Sequence, residues 1–402
     1  MLHVGTMKTA SSSIQATLFA GRERLAAQGI RYFARAANHS DLYAVFADEP
    51  DRYPPLARRG LLSPEARAAE IRAWQADLAR FLAAPGQGIL LISDENLADL
   101  GPAGVARLRA AIAPHVDRVR VIAYARPPVA FAQSMAQQVI KEGATFADIA
   151  RATLTGSDHG PARPFRASVH PAYRARIGPY LEVFGPDSVE IRPFDPHRFP
   201  EGDAVEDFLI AALGRGAAAL GLERHRVNES LDHAAVLLLE ALNHLQPPQP
   251  DGRLHSARAA NLLPRIKGVP AAQPFRLPGF DWDGFARVVA PDCDWLAEVT
   301  GGAIRFRVEP PAEPGPPDLS SLALFVNALA AESAAGRAQG AVLRAFMGLR
   351  LGRADAPARL SRALDAVQDA QLLRVIARAL RADGAAELAA HAARLGEARG
   401  GD

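Results

Sequence analysis

Within the stretch LHVGTMKTASSSIQATL stand Gly5, Thr6, Lys8, Thr9 and the run Ser11-Ser12-Ser13. A glycine that lets the chain turn sharply, one ammonium and several hydroxyl donors are the groups that grip an oxyanion. If a strand enters this stretch and a helix leaves it, the helix adds its first unpaired N–H groups and the positive end of its dipole. A phosphate or a sulfate is the ligand that suits such a loop. The plainer alternative is that the serines only cap a helix start. The triphosphate-binding pattern GxxxxGK[ST] is absent, because no second glycine precedes Lys8. The loop therefore suits an anion held without an obligatory magnesium ion.

Two further groups could act with it. In VIAYARPPVAFAQSMAQQ, Arg126 follows an apolar run and Ser134 comes eight residues later, on what should be the next helix. A guanidinium fork and a hydroxyl from the adjoining helix suit a terminal phosphate. Alternatively, Arg126 caps carbonyls at a strand end and Ser134 is a solvated helix residue. In LLISDENLADL, an apolar run ends in Ser93-Asp94-Glu95, and a carboxylate there can take a proton from a hydroxyl. Glu95 is the candidate base, Asp94 its competitor, and the pair could instead cap the next helix.

The elements that would position these groups follow from apolar periodicity. Strands are expected at 2–4, 88–93, 119–125 and 189–194, with helical spacing at 14–28 and a helical stretch ending at Phe184-Gly185. Strands separated by helices point to βαβ units and a parallel sheet covered on both faces. In such a sheet ligands bind at the C-terminal strand ends, where all three candidate groups fall. After 194 the pattern is helical, at 204–214 and 230–245, and VEPPAEPGPPDLSS at 308–321 reads as a Pro-rich linker. The expected domains are an α/β domain over 1–307, the linker 308–321 and a helical region over 322–402.

Composition sets outer bounds. The 402 residues carry a formal net charge of +2, so nothing global points to nucleic acid or an anionic membrane, and any anion site must be local. Cys293 is the only cysteine, which excludes an internal disulfide and a multi-cysteine zinc site. With no signal-peptide pattern and no apolar window long enough to span a bilayer, a soluble cytoplasmic protein is expected. His159, His170, His225 and His233 lack metal-ligand spacing, and no metal is expected.

HVGTMKTASSSIQ resembles the 5′-phosphosulfate loop of sulfotransferases that use 3′-phosphoadenosine 5′-phosphosulfate (PAPS), bacterial members above all. Met7 stands where a histidine is common and Ala10 where glycine is usual; Ser11 and Ser12 replace two threonines. Alanine is harmless at position 10 if the helix begins there, and strained if the position needs φ > 0. The eight-residue spacing of Arg126 and Ser134 after an apolar strand also matches the family, as does a serine followed by a glutamate at 93–95.

The resemblance implies a three-layer α/β sandwich with a central parallel sheet and, here, a C-terminal all-α appendage. It implies PAPS as co-substrate and 3′-phosphoadenosine 5′-phosphate (PAP) as product. Gly5, Thr6, Lys8, Thr9, Ala10, Ser11 and Ser12 would hold the 5′ end, Arg126 and Ser134 the 3′-phosphate, and Phe194 would pack on the base. Lys8 and Glu95 would be catalytic. Arg265 and Lys267, in PRIKG, faintly resemble the family's late basic loop. The acceptor would be a hydroxyl, or an amine, with a carbohydrate or glycolipid preferred and residues 39–75 and 142–175 lining its side. The helical tail is a candidate surface for homo-oligomerisation or a partner. Two rivals remain: a catalytically inactive relative that binds a nucleotide or partner, and a P-loop nucleotide kinase, which would need magnesium.

Overall fold

In the computed structural model of the protein, residues 1–37, 39, 41–50, 53, 56, 60–61, 63–86, 88–155, 168–227, 230–245, 266, 273–312, 334–350, 352–382 and 384–400 are described. Arg265, Lys267 and the linker residues 313–321 lie outside them.

Five strands form one all-parallel sheet: β1 (Leu2–Val4), β2 (Ile30–Tyr32), β3 (Ile89–Asp94), β4 (Val121–Ala125) and β5 (Val189–Pro193), in the order β2-β3-β1-β4-β5. The register sets Val4 opposite Asp94 on one side and Ala123 on the other. The first residues beyond β1, β3 and β4 therefore emerge at one edge, and these are Gly5, Glu95 and Arg126.

Alternation along the strands sends side chains to two cores. Leu2, Val4, Ile92, Val121 and Ala123 pack with Val105, Leu108 and Tyr180; Leu91, Ile122 and Tyr124 pack with Ile14, Leu18 and Phe208. Both faces are thus covered by helices, as an all-parallel sheet requires. Each of the large apolar side chains fully buried in these layers contributes about 1.5–3 kcal/mol.

Among the described helices, α1 (Ser11–Ala20), α2 (Arg22–Ala26), α3 (Leu42–Phe46), α4 (Pro64–Ala83), α5 (Pro102–Ile112) and α6 (Pro128–Lys141) accompany the first four strands. They are followed by α7 (Phe146–Thr155), α8 (Tyr173–Phe184), α9 (Ala204–Leu213), α10 (Ala217–Leu220), α11 (His233–Leu245) and α12 (Trp282–Val299). The last four are α13 (Ala334–Arg350), α14 (Ala356–Asp365), α15 (Ala370–Ala382) and α16 (Ala386–Arg399). Where periodicity predicts one helix over 14–28, the chain breaks between α1 and α2 at Gly21, against which Leu222 packs so closely that a Cβ would lie 2.2 Å from its Cδ2. β2 was not anticipated: its three residues, Ile-Arg-Tyr, are too few to show a period.

The chain divides into two compact units. One comprises Met1–Met135, His170–Glu229 and Trp282–Pro310, and contains the sheet; the other comprises Ala136–Val169, Ser230–Asp281 and Pro311–Asp402. The second unit draws on three stretches of chain, whereas the sequence boundaries set 1–307 against 322–402. Its described elements are helical apart from a single bridge between Asp232 and Pro274. α11 packs on α13 and α15, and α15 pairs with α16, where Gly396 lies close against Ala370 and Leu373. Among the described residues, no helix is long and apolar enough to cross a membrane.

Candidate anion-binding and proton-transfer site

The loop between β1 and α1 is built on two left-handed residues, Lys8 at φ 66° and Ala10 at φ 61°. Ala10 is the N-cap of α1 and offers no side-chain cap; the amides of Ser13 and Ile14 turn back onto its carbonyl at 2.9 and 3.1 Å. The amides ahead of them belong to the first turn, whose N–H groups have no partner within the helix. Backbone donors gathered around left-handed residues form an anion-binding concavity.

Other side chains brace the loop. Thr6 donates its hydroxyl to the Tyr124 carbonyl, and Thr9 donates to the Thr6 carbonyl at 2.5 Å. These two threonines thus spend their protons on shape. Ser11 differs: it is buried against Gly5, and its Oγ has no hydrogen-bond partner among the described residues. Ser12 is half-exposed beside it.

Arg126 reaches the same loop, its Nη1 donating to the Lys8 carbonyl at 2.5 Å. Its Nε is buried with no partner among the described residues, and its guanidinium lies over the Phe194 ring, 5.3 Å from the centroid. Burial pulls this guanidinium down to about 10, with Tyr173 acting in the other direction, so it stays charged at neutral pH. The Tyr173 hydroxyl donates to the Arg126 carbonyl, fixing the backbone from below. Ser134 is half-buried on α6. Phe194 follows β5, tied by its amide to the Ala125 carbonyl at 2.7 Å and set edge-on to Phe199.

On the other side of β1, Asp94 and Glu95 open a tight turn at the end of β3. Asp94 is wholly buried; its Oδ1 accepts from the Asn96 amide at 2.7 Å and its Oδ2 has no partner. Burial holds its carboxyl well above the usual range, the neighbouring Glu95 and Asp41 adding to the rise against the Asn96 hydrogen bond. Glu95 is half-buried. Burial raises its carboxyl too, but the charges of Lys8 and Arg176 pull it down while that of Asp99 pushes it up. The charge of Lys8 therefore acts on Glu95, whose backbone lies close to Gly5.

The structure thus brings together, at one sheet edge, Gly5, Thr6, Lys8, Thr9, Ala10, Ser11 and Ser12 with Arg126, Phe194 and Glu95. Ser134 lies on the helix that follows Arg126, and among the described residues no hydrogen bond joins it to the loop. Arg176, Asp99 and Tyr173 were not anticipated. One signal was available, an arginine on the apolar stripe Tyr173, Ile177 and Tyr180 of α8. Among the described residues no group of His, Cys, Asp and Glu side chains is arranged to hold a metal ion. No protein-family model, no curated protein and no solved structure matches the chain.

Proposed function

We propose that this chain is a PAPS-dependent sulfotransferase that transfers a sulfuryl group to a hydroxyl acceptor, with a carbohydrate or glycolipid as the preferred class and an amine as the lesser one. The observation that carries the reading is a pair of buried, unpartnered donors, Ser11 Oγ and Arg126 Nε, flanking a loop held at two positive φ angles. Buried polar groups are rarely left unpaired, and both atoms can pair with anionic oxygens. PAPS supplies the activated sulfuryl group.

In this reading the amides at the start of α1, with Ser11 and Ser12, hold the 5′-phosphosulfate. Arg126 and Ser134 hold the 3′-phosphate, and Phe194 packs on the base. Lys8 stabilises the negative charge that grows on the bridging oxygen as the bond to sulfur breaks, a stabilisation larger in the transition state than in the ground state. Glu95 removes the acceptor's proton as its oxygen attacks. Proton loss from the acceptor and charge gain on the departing PAP balance without a covalent enzyme intermediate.

The test is calorimetric titration with PAP, without added metal, of wild type, Lys8→Ala and Arg126→Ala. Wild type should bind, and each variant should lose about tenfold or more, since a hydrogen bond to a charged group is worth roughly 1.5–3 kcal/mol. No binding by folded wild type overturns the reading, and binding that requires magnesium turns it toward a nucleotide kinase. A second reading, a relative that binds nucleotide without turnover, is favoured by Ala10 standing at φ 61° where the family has glycine; it predicts PAP binding with no PAPS consumption.

A further inference from the structure

The turn that presents Glu95 is held from α8 at two points one helical turn apart. Arg176, only 7% exposed, donates from Nε to Asp99 at 3.1 Å, and Tyr180 donates its hydroxyl to the Leu97 carbonyl at 2.7 Å. Arg176 is itself fixed by a bond to the Pro171 carbonyl at 2.8 Å and by the Phe131 ring, 5.8 Å away. On the far side of the turn, the Asn96 side chain donates to the Tyr53 hydroxyl at 2.6 Å.

The guanidinium of Arg176 thus sits at the turn that carries Glu95, bonded to Asp99. We propose that Arg176 is a positioning residue for Glu95: with Tyr180 it clamps the 95–99 turn against α8, and through Asp99 it holds a guanidinium beside the turn that carries Glu95. The catalytic meaning of that role rests on the sulfotransferase reading, but the clamp and the charge coupling do not.

The charges acting on Glu95 come from four places: Lys8 on the loop, Asp94 at the end of β3, Asp99 on the turn and Arg176 on α8. Arg176 and Lys8 lower the titration of Glu95 and Asp99 raises it, so each removal has a signed outcome.

The experiment is a carbon-13 titration of side-chain carboxyls in the full chain, with the Glu95 signal assigned by its loss in Glu95→Gln. Arg176→Gln should move the Glu95 midpoint to higher pH, Asp99→Asn should move it lower, and Arg176→Lys should leave it near wild type. Tyr180→Phe removes an anchor without changing charge and should leave the midpoint where it is. An unmoved midpoint in both Arg176→Gln and Asp99→Asn overturns the proposal, as does an equal shift in Tyr180→Phe, which would mark a purely structural effect. PAP binding is measured on the same wild-type sample. If it is absent, the sulfotransferase role of Glu95 fails while the titration still decides the coupling.

Discussion

Two neighbouring turns at the edge of the sheet are held in opposite ways. The loop at 5–12 keeps two non-glycine residues in the left-handed region and leaves Ser11 Oγ and Arg126 Nε without partners. The turn at 94–99 has ordinary backbone but crowds three carboxyls, Asp94 beside Glu95 and Asp41, and Glu95 and Asp99 beside Arg176. The first stores its cost in backbone conformation and unpaired donors, the second in carboxyls that burial makes reluctant to ionise. Donors waiting for charge suit binding, whereas a carboxyl poised to exchange a proton suits chemistry. In the proposed reading the loop is the binding half of the site and the turn its reacting half.

The sharpest way to break this division is Glu95→Gln. It should lower PAPS consumption, followed as PAP release, by about 10²–10⁴-fold, the usual contribution of a general base. PAP affinity should stay within about twofold, because the loop is untouched. If affinity falls as far as turnover, the two turns do not act separately.

Gly5 is where the turns meet, and Gly5→Ala should disturb both. Its amide donates to the Asp94 carbonyl at 3.2 Å. An added Cβ would lie 2.3 Å from Ser11 Oγ and 3.3 Å from the Glu95 Cα. Overpacking of this kind costs about 1–3 kcal/mol, read as a drop in thermal stability together with weaker PAP binding. Adding Ser11→Ala removes the worse clash and should recover part of the stability but not the binding. Full recovery of binding would show that Ser11 Oγ is no ligand donor.

How far these turns were legible beforehand follows the same physics. The strand-loop-helix order, Arg126 and Glu95 could be read because their residue types carry chemistry and parallel strands align their C-terminal ends. The left-handed state of Ala10 stayed one of two alternatives, since only the glycine usual at that position in the family pointed to it and alanine itself carries no signal for it. Arg176 was missed because its meaning arises only when α8 brings it to Asp99, far away in sequence. β2 is a three-residue strand completed by its pairing with Ile89–Leu91, so nothing local announces it.

The turn's cost has a pH signature. The folded protein holds the Asp94 proton to higher pH than the unfolded chain does, because burial raises that carboxyl above its ordinary value. Its contribution to stability is therefore complete at low pH and lost as pH rises through the folded-state titration. Asp94→Asn removes the titration while an amide oxygen can still accept from Asn96. Relative to wild type it should gain stability progressively as pH rises above the ordinary carboxylate range, measured by urea denaturation at each pH. A constant difference across that range would place the cost in lost packing and not in charge.

The smallest effect expected is in the loop, and it asks what the backbone strain is for. A non-glycine residue in the left-handed region costs roughly 1–2 kcal/mol, and glycine gives back part of that relief through its greater unfolded-state entropy. Ala10→Gly should thus stabilise the protein by about 0.5–1 kcal/mol. If PAP affinity is unchanged or improved, the alanine methyl is a tolerated cost in a loop whose shape comes from Thr6, Thr9 and Arg126. If stability rises while affinity falls, the methyl holds the amides of α1 in place for the anion, and the strain at Ala10 is part of how the loop binds.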